Sequence, residues 1–393
     1  MELGHNILTH HGYSSAADRA VETGADVYQI FYRSPQSYNS FKRPEEETKL
    51  LAEKNKKYKK KMVIHGSYLI NLCQDPSDYR HYKGVNILVE DLDVSVELNA
   101  IGVIIHMGND TEKNGDVVSK QNYITGIKEA LKRSNNKSTL ILETGAGTGN
   151  EMSSSLEELG AIRRALSPSE QKRVKFCLDT CHMFAYGYRL DLPDLVNYLD
   201  WEIEEYLGWD NIAVVHLNDS EDKCKSRKDN HADIGKGCIR FEGLMRFVHL
   251  CVKHKIPMVL ETPTHFYNDE RFTAEKQMNL IRTYYNIMYN SLGPQVKVTE
   301  RTLKKKDLRT KIQQSKSKTV SKKVGKSKCS DDDFCDGENH ENTDTDVIET
   351  QSDIEDVEED TKIAKSSTKK KTNKSVVNSK TMKVVKSTKN NKN

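Results

Sequence analysis

Residues 211–237 read NIAVVHLNDSEDKCKSRKDNHADIGKG. The stretch opens on a short apolar run, Ile212 to Val215, and that run ends on His216. A polar loop rich in Asp, Ser, Lys and Arg follows and closes with Asp229 and His231. A run without polar alternation suits a strand buried on both faces, as in a parallel sheet. Its end in an imidazole, with a carboxylate and a second imidazole in the next loop, points to part of a metal site.

The same arrangement recurs along the chain. The run HNILTHH lies near the start, followed by DVYQIFY to Tyr32, KMVIH to His65 and IGVIIH to His106. Then come STLILE to Glu143, VKFCLD to Asp179, NIAVVH to His216 and PMVLE to Glu261. Helical patterns separate these eight predicted strands. SSAADRAVETGA predicts a helix capped by Ser14 or Ser15 and stopped near Gly24. PEEETKLLAEKNKKYKK carries acids at its start and lysines at its end, as the helix dipole favours. Further helices are expected over Leu88–Ala100, Ser119–Arg133, Ser154–Leu166, Leu192–Leu207 and Phe241–His254, with a last one from Ala274 through Tyr285. Eight strands alternating with eight helices form the α/β pattern of a (β/α)8 TIM barrel, with a doubly wound open sheet as the alternative.

Six consecutive strand ends carry His65, His106, Glu143, Asp179, His216 and Glu261. In a barrel these ends converge on one face, where active sites of the fold lie. So many buried polar and charged groups need metals or partners to offset their desolvation. His182 follows Asp179 within LDTCH, and Asp229 and His231, two apart in an extended segment, point the same way. Five histidines and four carboxylates exceed one tetrahedral zinc and suit a cluster of three ions. Imidazole with carboxylate favours zinc, with manganese or iron as substitutes. Cys177 and Cys181 read as small buried residues rather than ligands.

Hydrophobic residues make up 36% and charged residues 30% of the 393-residue chain. Up to about Pro294 the sequence has the apolar runs and both tryptophans; beyond it Phe334 is the only aromatic. Residues 1–293 are therefore read as the folded catalytic unit, and 294–393 as a disordered tail that cannot bury enough apolar surface to order itself. From Lys297 the tail holds 24 Lys/Arg against 17 Asp/Glu in basic, acidic and basic blocks, which leaves the folded part at −4 of the net +3. Any nucleic-acid binding by the core then needs a local basic face rather than global charge. Eight cysteines without regular spacing, a polar start and no long apolar run imply reduced thiols, an intracellular protein and no membrane partner.

LDTCHMFAYGYRL, HLNDSEDKCKSRKDNHADIGKG and MVLETP resemble the three signature regions of the endonuclease IV family of apurinic/apyrimidinic (AP) endonucleases. HGSYLINL and LETGAGTG resemble two further segments of that family, and the likeness runs from Met1 to the early 290s. The resemblance implies a barrel with three zinc ions. His65, His106 and Glu143 would hold the first; Glu143 would bridge to the second, completed by Asp179, His216 and Glu261. His182, Asp229 and His231 would hold the third. It implies cleavage of duplex DNA 5′ to an abasic site, leaving a 3′-hydroxyl and a 5′-deoxyribose phosphate, and trimming of blocked 3′ ends. Glu143 and Glu261 would be catalytic through the metals they hold.

Tyr68 and Leu69 match family positions that enter the minor groove, and Lys225, Arg227 and Lys228 are candidates to meet the DNA backbone. Three positions depart from the family pattern. Gly66 stands where Asp is frequent, Gln36 where an Arg reaches DNA, and Thr144 where an Asn follows the glutamate. Arg33 is the candidate replacement for the missing arginine. The protein is expected to be a monomer of cytoplasm or nucleus, or of a viral replication compartment or virion, with the lysine-rich tail holding DNA nonspecifically. A divalent-metal sugar isomerase on a related barrel and a catalytically inactive lesion-binding barrel are the alternatives. The first uses two metals and leaves His182, Asp229 and His231 unexplained, while the second is at odds with a full ligand set.

Overall fold

The computed structural model describes residues 1–38 and 42–291. The expected tail lies outside them. Eight parallel strands close into a barrel: β1 Leu3–Asn6, β2 Val27–Phe31, β3 Lys61–His65, β4 Val103–Ile105, β5 Leu140–Glu143, β6 Val174–Asp179, β7 Ile212–His216 and β8 Met258–Leu260. They are paired in sequence order, and β1 closes the circle against β8. The open sheet is thereby excluded.

Two apolar layers follow from the period of two along each strand. Val27, Val63, Ile104, Ile141, Cys177, Val214 and Val259 form one buried cluster that plugs the barrel. Their strand neighbours Tyr28, Met62, Val103, Leu140, Phe176, Val215 and Met258 belong to the larger core beneath the helices.

The covering helices are α1 Tyr13–Glu22, α2 Glu45–Tyr58, α3 Tyr79–Glu97, α4 Asp116–Arg133, α5 Leu156–Arg164, α6 Pro193–Tyr206, α7 Phe241–Lys253 and α8 Ala274–Tyr285. Three differences from the sequence reading have identifiable causes. Helix α1 starts at Gly12 without a serine cap, because Glu47 on α2 accepts from the Ser14 N–H at 3.0 Å. Helix α3 begins nine residues earlier than expected, where Asp78 accepts from the Arg80 N–H at 2.6 Å. Strand β1 lies two residues earlier than HNILTHH suggests, since the chain turns where the Gly12 N–H donates to Thr9. No helix among the described residues is long and apolar enough to cross a membrane.

Candidate metal centre

Each predicted strand-end residue stands two positions beyond a plug residue. His65 follows Val63, His106 follows Ile104, Glu143 follows Ile141, Asp179 follows Cys177, His216 follows Val214, and Glu261 follows Val259. Strand alternation therefore turns all six side chains into the mouth of the barrel. The loop residues join them by two local devices. Asp179 Oδ1 caps the short helix Thr180–Tyr186 through the His182 N–H at 2.8 Å, which sets His182 in its first turn. A two-residue ribbon pairs Ser220 with His231 and folds the polar loop back over His216.

Among the described residues five overlapping groups have donor atoms within 4.8 Å of one another; two include Cys177 or Cys181, and the three without a thiol hold all nine side chains. In the first, His65 Nε2 and His106 Nε2 stand 3.6 and 3.5 Å from Glu143 Oε2. In the second, His216 Nδ1 stands 2.8 Å from Glu143 Oε1, 3.0 Å from Glu261 Oε2 and 3.8 Å from Asp179 Oδ2. In the third, His182 Nε2 and His231 Nε2 stand 2.9 and 3.1 Å from Asp229 Oδ1. Glu143 thus turns one oxygen to each of the first two groups.

The far sides of the imidazoles choose the nitrogen that faces inward. His65 Nδ1 is 2.8 Å from the Gly66 carbonyl, and His182 Nδ1 is 2.8 Å from the Thr144 carbonyl. Donation there leaves both Nε2 lone pairs for the centre. His216 is reversed: its Nε2 meets Gln29 Oε1 at 2.9 Å, so Nδ1 is the free atom. Glu143 Oε2 is buried without a hydrogen-bond partner among the described residues, and His182 Nε2 and His231 Nε2, buried too, lie close to Asp229 Oδ1 without the alignment of a hydrogen bond. Acceptor-rich, buried and otherwise orphaned, this donor set fits divalent cations.

Electrostatics point the same way. Burial opposes ionisation of Glu143, yet His216 and His106 outweigh it and hold the carboxyl well below its usual range. Burial likewise disfavours a charged His182, which Asp179 and Asp229 reverse, raising it well above an ordinary imidazole. Four carboxylates at one barrel mouth demand positive charge, from protons or from metal. The Cys177 thiol borders the second group, but burial pushes it up to about 12, so it stays a neutral plug residue.

Several positioning residues escape the sequence reading. Gln29 on β2 bonds His216 and donates from Nε2 to Glu261 Oε1 at 2.5 Å. Asn218 donates to Asp179 Oδ2 at 2.7 Å and accepts the Glu261 N–H at 2.9 Å. Thr144, at the family's Asn position, accepts the Asp179 N–H through Oγ1 at 2.9 Å. Buried Asp219 takes four backbone N–H bonds, from Ser220, Gly235, Gly237 and Ile239, and so shapes the loop bearing Asp229 and His231. Gln29 had a signal: it is the lone polar residue inside DVYQIFY, two beyond Val27. Asn218 and Asp219 had only their place after His216.

Around the centre, Tyr68 is 51% exposed and sets its ring edge-on to His65 and His106, with centroids 5.4 and 5.6 Å away. Its N–H donates to the Pro35 carbonyl, and the adjoining Leu69 carbonyl accepts from Tyr38 at 2.8 Å. Lys225 and Arg227 are exposed with left-handed backbones, φ 68° and 60°. The Arg227 guanidinium lies 4.0 Å over the Tyr186 ring, and Lys228 pairs with Asp222 at 3.0 Å. Arg33 does not stand in for the missing arginine. It is buried and ion-paired with Asp91 and Glu90 of α3, both at 2.8 Å, so its guanidinium is already engaged within the fold. Gly66 has little room for a side chain, since a Cβ there would meet the Ile104 carbonyl oxygen at 3.0 Å.

Fold and site together define a TIM barrel whose strand ends gather histidines and carboxylates, and residues 17–284 match the family described as xylose isomerase-like TIM barrel. A protein of Acanthamoeba polyphaga mimivirus named as an endonuclease 4 is 36% identical over 272 residues, covering 68% of this chain and 87% of that one. Another so named, from Sulfurihydrogenibium sp., is 33% identical, covering 66% and 93%. The crystal structure of endonuclease IV from Thermus thermophilus superposes with a TM-score of 0.62 at 26% identity, covering 73% of this chain and all of that one. The chain belongs to the endonuclease IV family.

Proposed function

We propose that this chain is a metal-dependent AP endonuclease that hydrolyses the phosphodiester 5′ to an abasic site, leaving a 3′-hydroxyl and a 5′-deoxyribose phosphate, and that it trims blocked 3′ ends. The observation that carries the reading is Glu143, whose two oxygens face two separate donor groups while a third group stands beside them. His65, His106 and Glu143 would hold one zinc. Glu143, Asp179, His216 and Glu261 would hold a second, and His182, Asp229 and His231 a third. Ions bound there supply neutralisation of the phosphodiester charge and acidification of a water. The chain's own part is to fix the donor atoms from behind, through Gln29, Asn218, Thr144 and Gly66. Tyr68 and Leu69 would support a bent duplex at the lesion, and Lys225, Arg227 and Lys228 would meet phosphates.

A sugar isomerase shares the fold, but the trio His182, Asp229 and His231 is surplus to a two-metal sugar site. The catalytic unit is assigned to residues 1–293 acting as a monomer. The remaining tail would hold DNA nonspecifically, with affinity that falls in salt. Incision of a duplex carrying one abasic site tests the function: cutting by the metal-loaded protein, abolished by strong chelation, is expected. No cutting by metal-loaded protein, or turnover of an aldose instead, would refute it.

A further inference from the structure

The inward positions above the barrel plug form a ring of eight, one per strand. Seven are Gln29, His65, His106, Glu143, Asp179, His216 and Glu261, and the eighth is Asn6. On β1 it is in register with Gln29, and its neighbour His5 pairs with Leu260, which sets Asn6 level with Glu261. His5 points outward to Thr23 beyond α1, with Nε2 3.0 Å from Oγ1, so alternation turns Asn6 inward. Gln29, beside it, is bonded to two ring members. Asn6 is not: its Oδ1 is buried and has no hydrogen-bond partner among the described residues. Among the other orphaned atoms of the ring and its loops, those on Glu143, His182 and His231 belong to the metal-facing groups, while Thr262 Oγ1, next to Glu261, is a hydroxyl that can turn its own proton to an acceptor. Asn6 is in none of those groups, and a neutral amide is a poor ligand beside so many carboxylates.

An orphaned amide oxygen costs free energy unless a donor arrives from outside the chain. A phosphodiester offers only acceptors and an abasic nucleotide carries no base N–H, so the donors such a nucleotide and its surrounding water offer are O–H groups. We propose that Asn6 contacts the substrate complex and accepts a hydrogen bond from such a group. The candidate donors are the C1′ hydroxyl of an abasic deoxyribose and the water that attacks the phosphodiester. An intact nucleotide carries a base at C1′ and lacks the first donor, so the contact would favour abasic sugar. The inference rests on the AP endonuclease reading.

The test compares wild type with Asn6→Ala and with Asn6→Leu, which keeps the branched shape without the polar atoms, each checked for zinc content and circular dichroism. Two duplexes are used, one with a hydroxyl-bearing abasic site and one with its tetrahydrofuran analogue, which lacks the C1′ hydroxyl. Loss of one hydrogen bond predicts a fall of about tenfold in kcat/KM. A fall on the hydroxyl-bearing duplex alone assigns the donor to the sugar, whereas equal falls on both assign it to the water. Variants that match wild type on both duplexes overturn the proposal. If a variant misfolds, the wild-type KM values decide between donors: equal KM on the two duplexes excludes the sugar hydroxyl. A wild type that cuts neither duplex refutes the AP endonuclease reading instead, a separate result.

Discussion

At the barrel mouth, the ring at the strand ends and the loop from Lys223 to Lys228 treat charge in opposite ways. Ring residues His65, Glu143, Asp179 and His216 are buried, and partners such as Gln29 and Asn218 hold them from behind. In the loop, Lys225 and Arg227 are exposed, and Arg227 rests on the Tyr186 ring, with no carboxylate within ion-pair distance among the described residues. Fixed donors suit cations that need defined geometry, since each misplaced ligand costs affinity. Adjustable cations suit a polyanion whose phosphates are met one by one. Substitutions in the two regions should therefore differ in kind as well as size.

Glu143→Gln strikes the ring hardest, because one amide oxygen cannot serve two groups. Incision should fall by about 10³-fold or more, with loss of bound metal by elemental analysis. Retained metal and activity would show that Glu143 does not bridge.

The charge balance of the metal-facing groups predicts a pH effect next in size. Without metal, burial opposes a charged His231, but Asp179 and Asp229 outweigh it and push the pKa up to about 9. A folded-state value above the ordinary 6.5 means that folding takes up a proton. The stabilisation is complete below about pH 6.5 and is lost as pH rises through about 9, roughly 3 kcal/mol in all. Chelated protein should lose Tm across that window, while metal-loaded protein, with no proton to lose at that nitrogen, should not. Parallel curves would contradict the assignment.

Gln29→Leu tests whether support from behind matters when no ligand is removed. A loss of about 10–100-fold in metal affinity, measured by chelator competition, is expected. The rim should respond least: Arg227→Ala should raise KM a few-fold, leave metal content unchanged, and reduce the slope of log KM against log salt by about one. Metal loss in that variant would erase the distinction between rim and ring.

The same contrast governs what the sequence reveals. Ligands on strands are legible because a period of two ties each to an apolar residue two places earlier, as with Ile141 and Glu143. Gln29 obeys that rule too, but in sequence a single amide in an apolar run resembles a satisfied core residue. The role of Arg33 is not legible in sequence since its partner Asp91 lies 58 residues away on α3, a distance that no local pattern encodes. The start of α1 is hidden for a similar reason: the carboxylate that accepts from its first turn, Glu47, comes from another helix. Partners supplied across the fold stay hidden until the chain is folded.

Elemental analysis of the purified, metal-replete chain most directly tests the proposal of three metal sites at one barrel mouth, two built from strand ends and one from the loop residues His182, Asp229 and His231. Three zinc ions per chain are predicted, with the manganese or iron of a native preparation counted towards the same total. One or two ions per chain at saturation would contradict the division of the nine side chains into three sites.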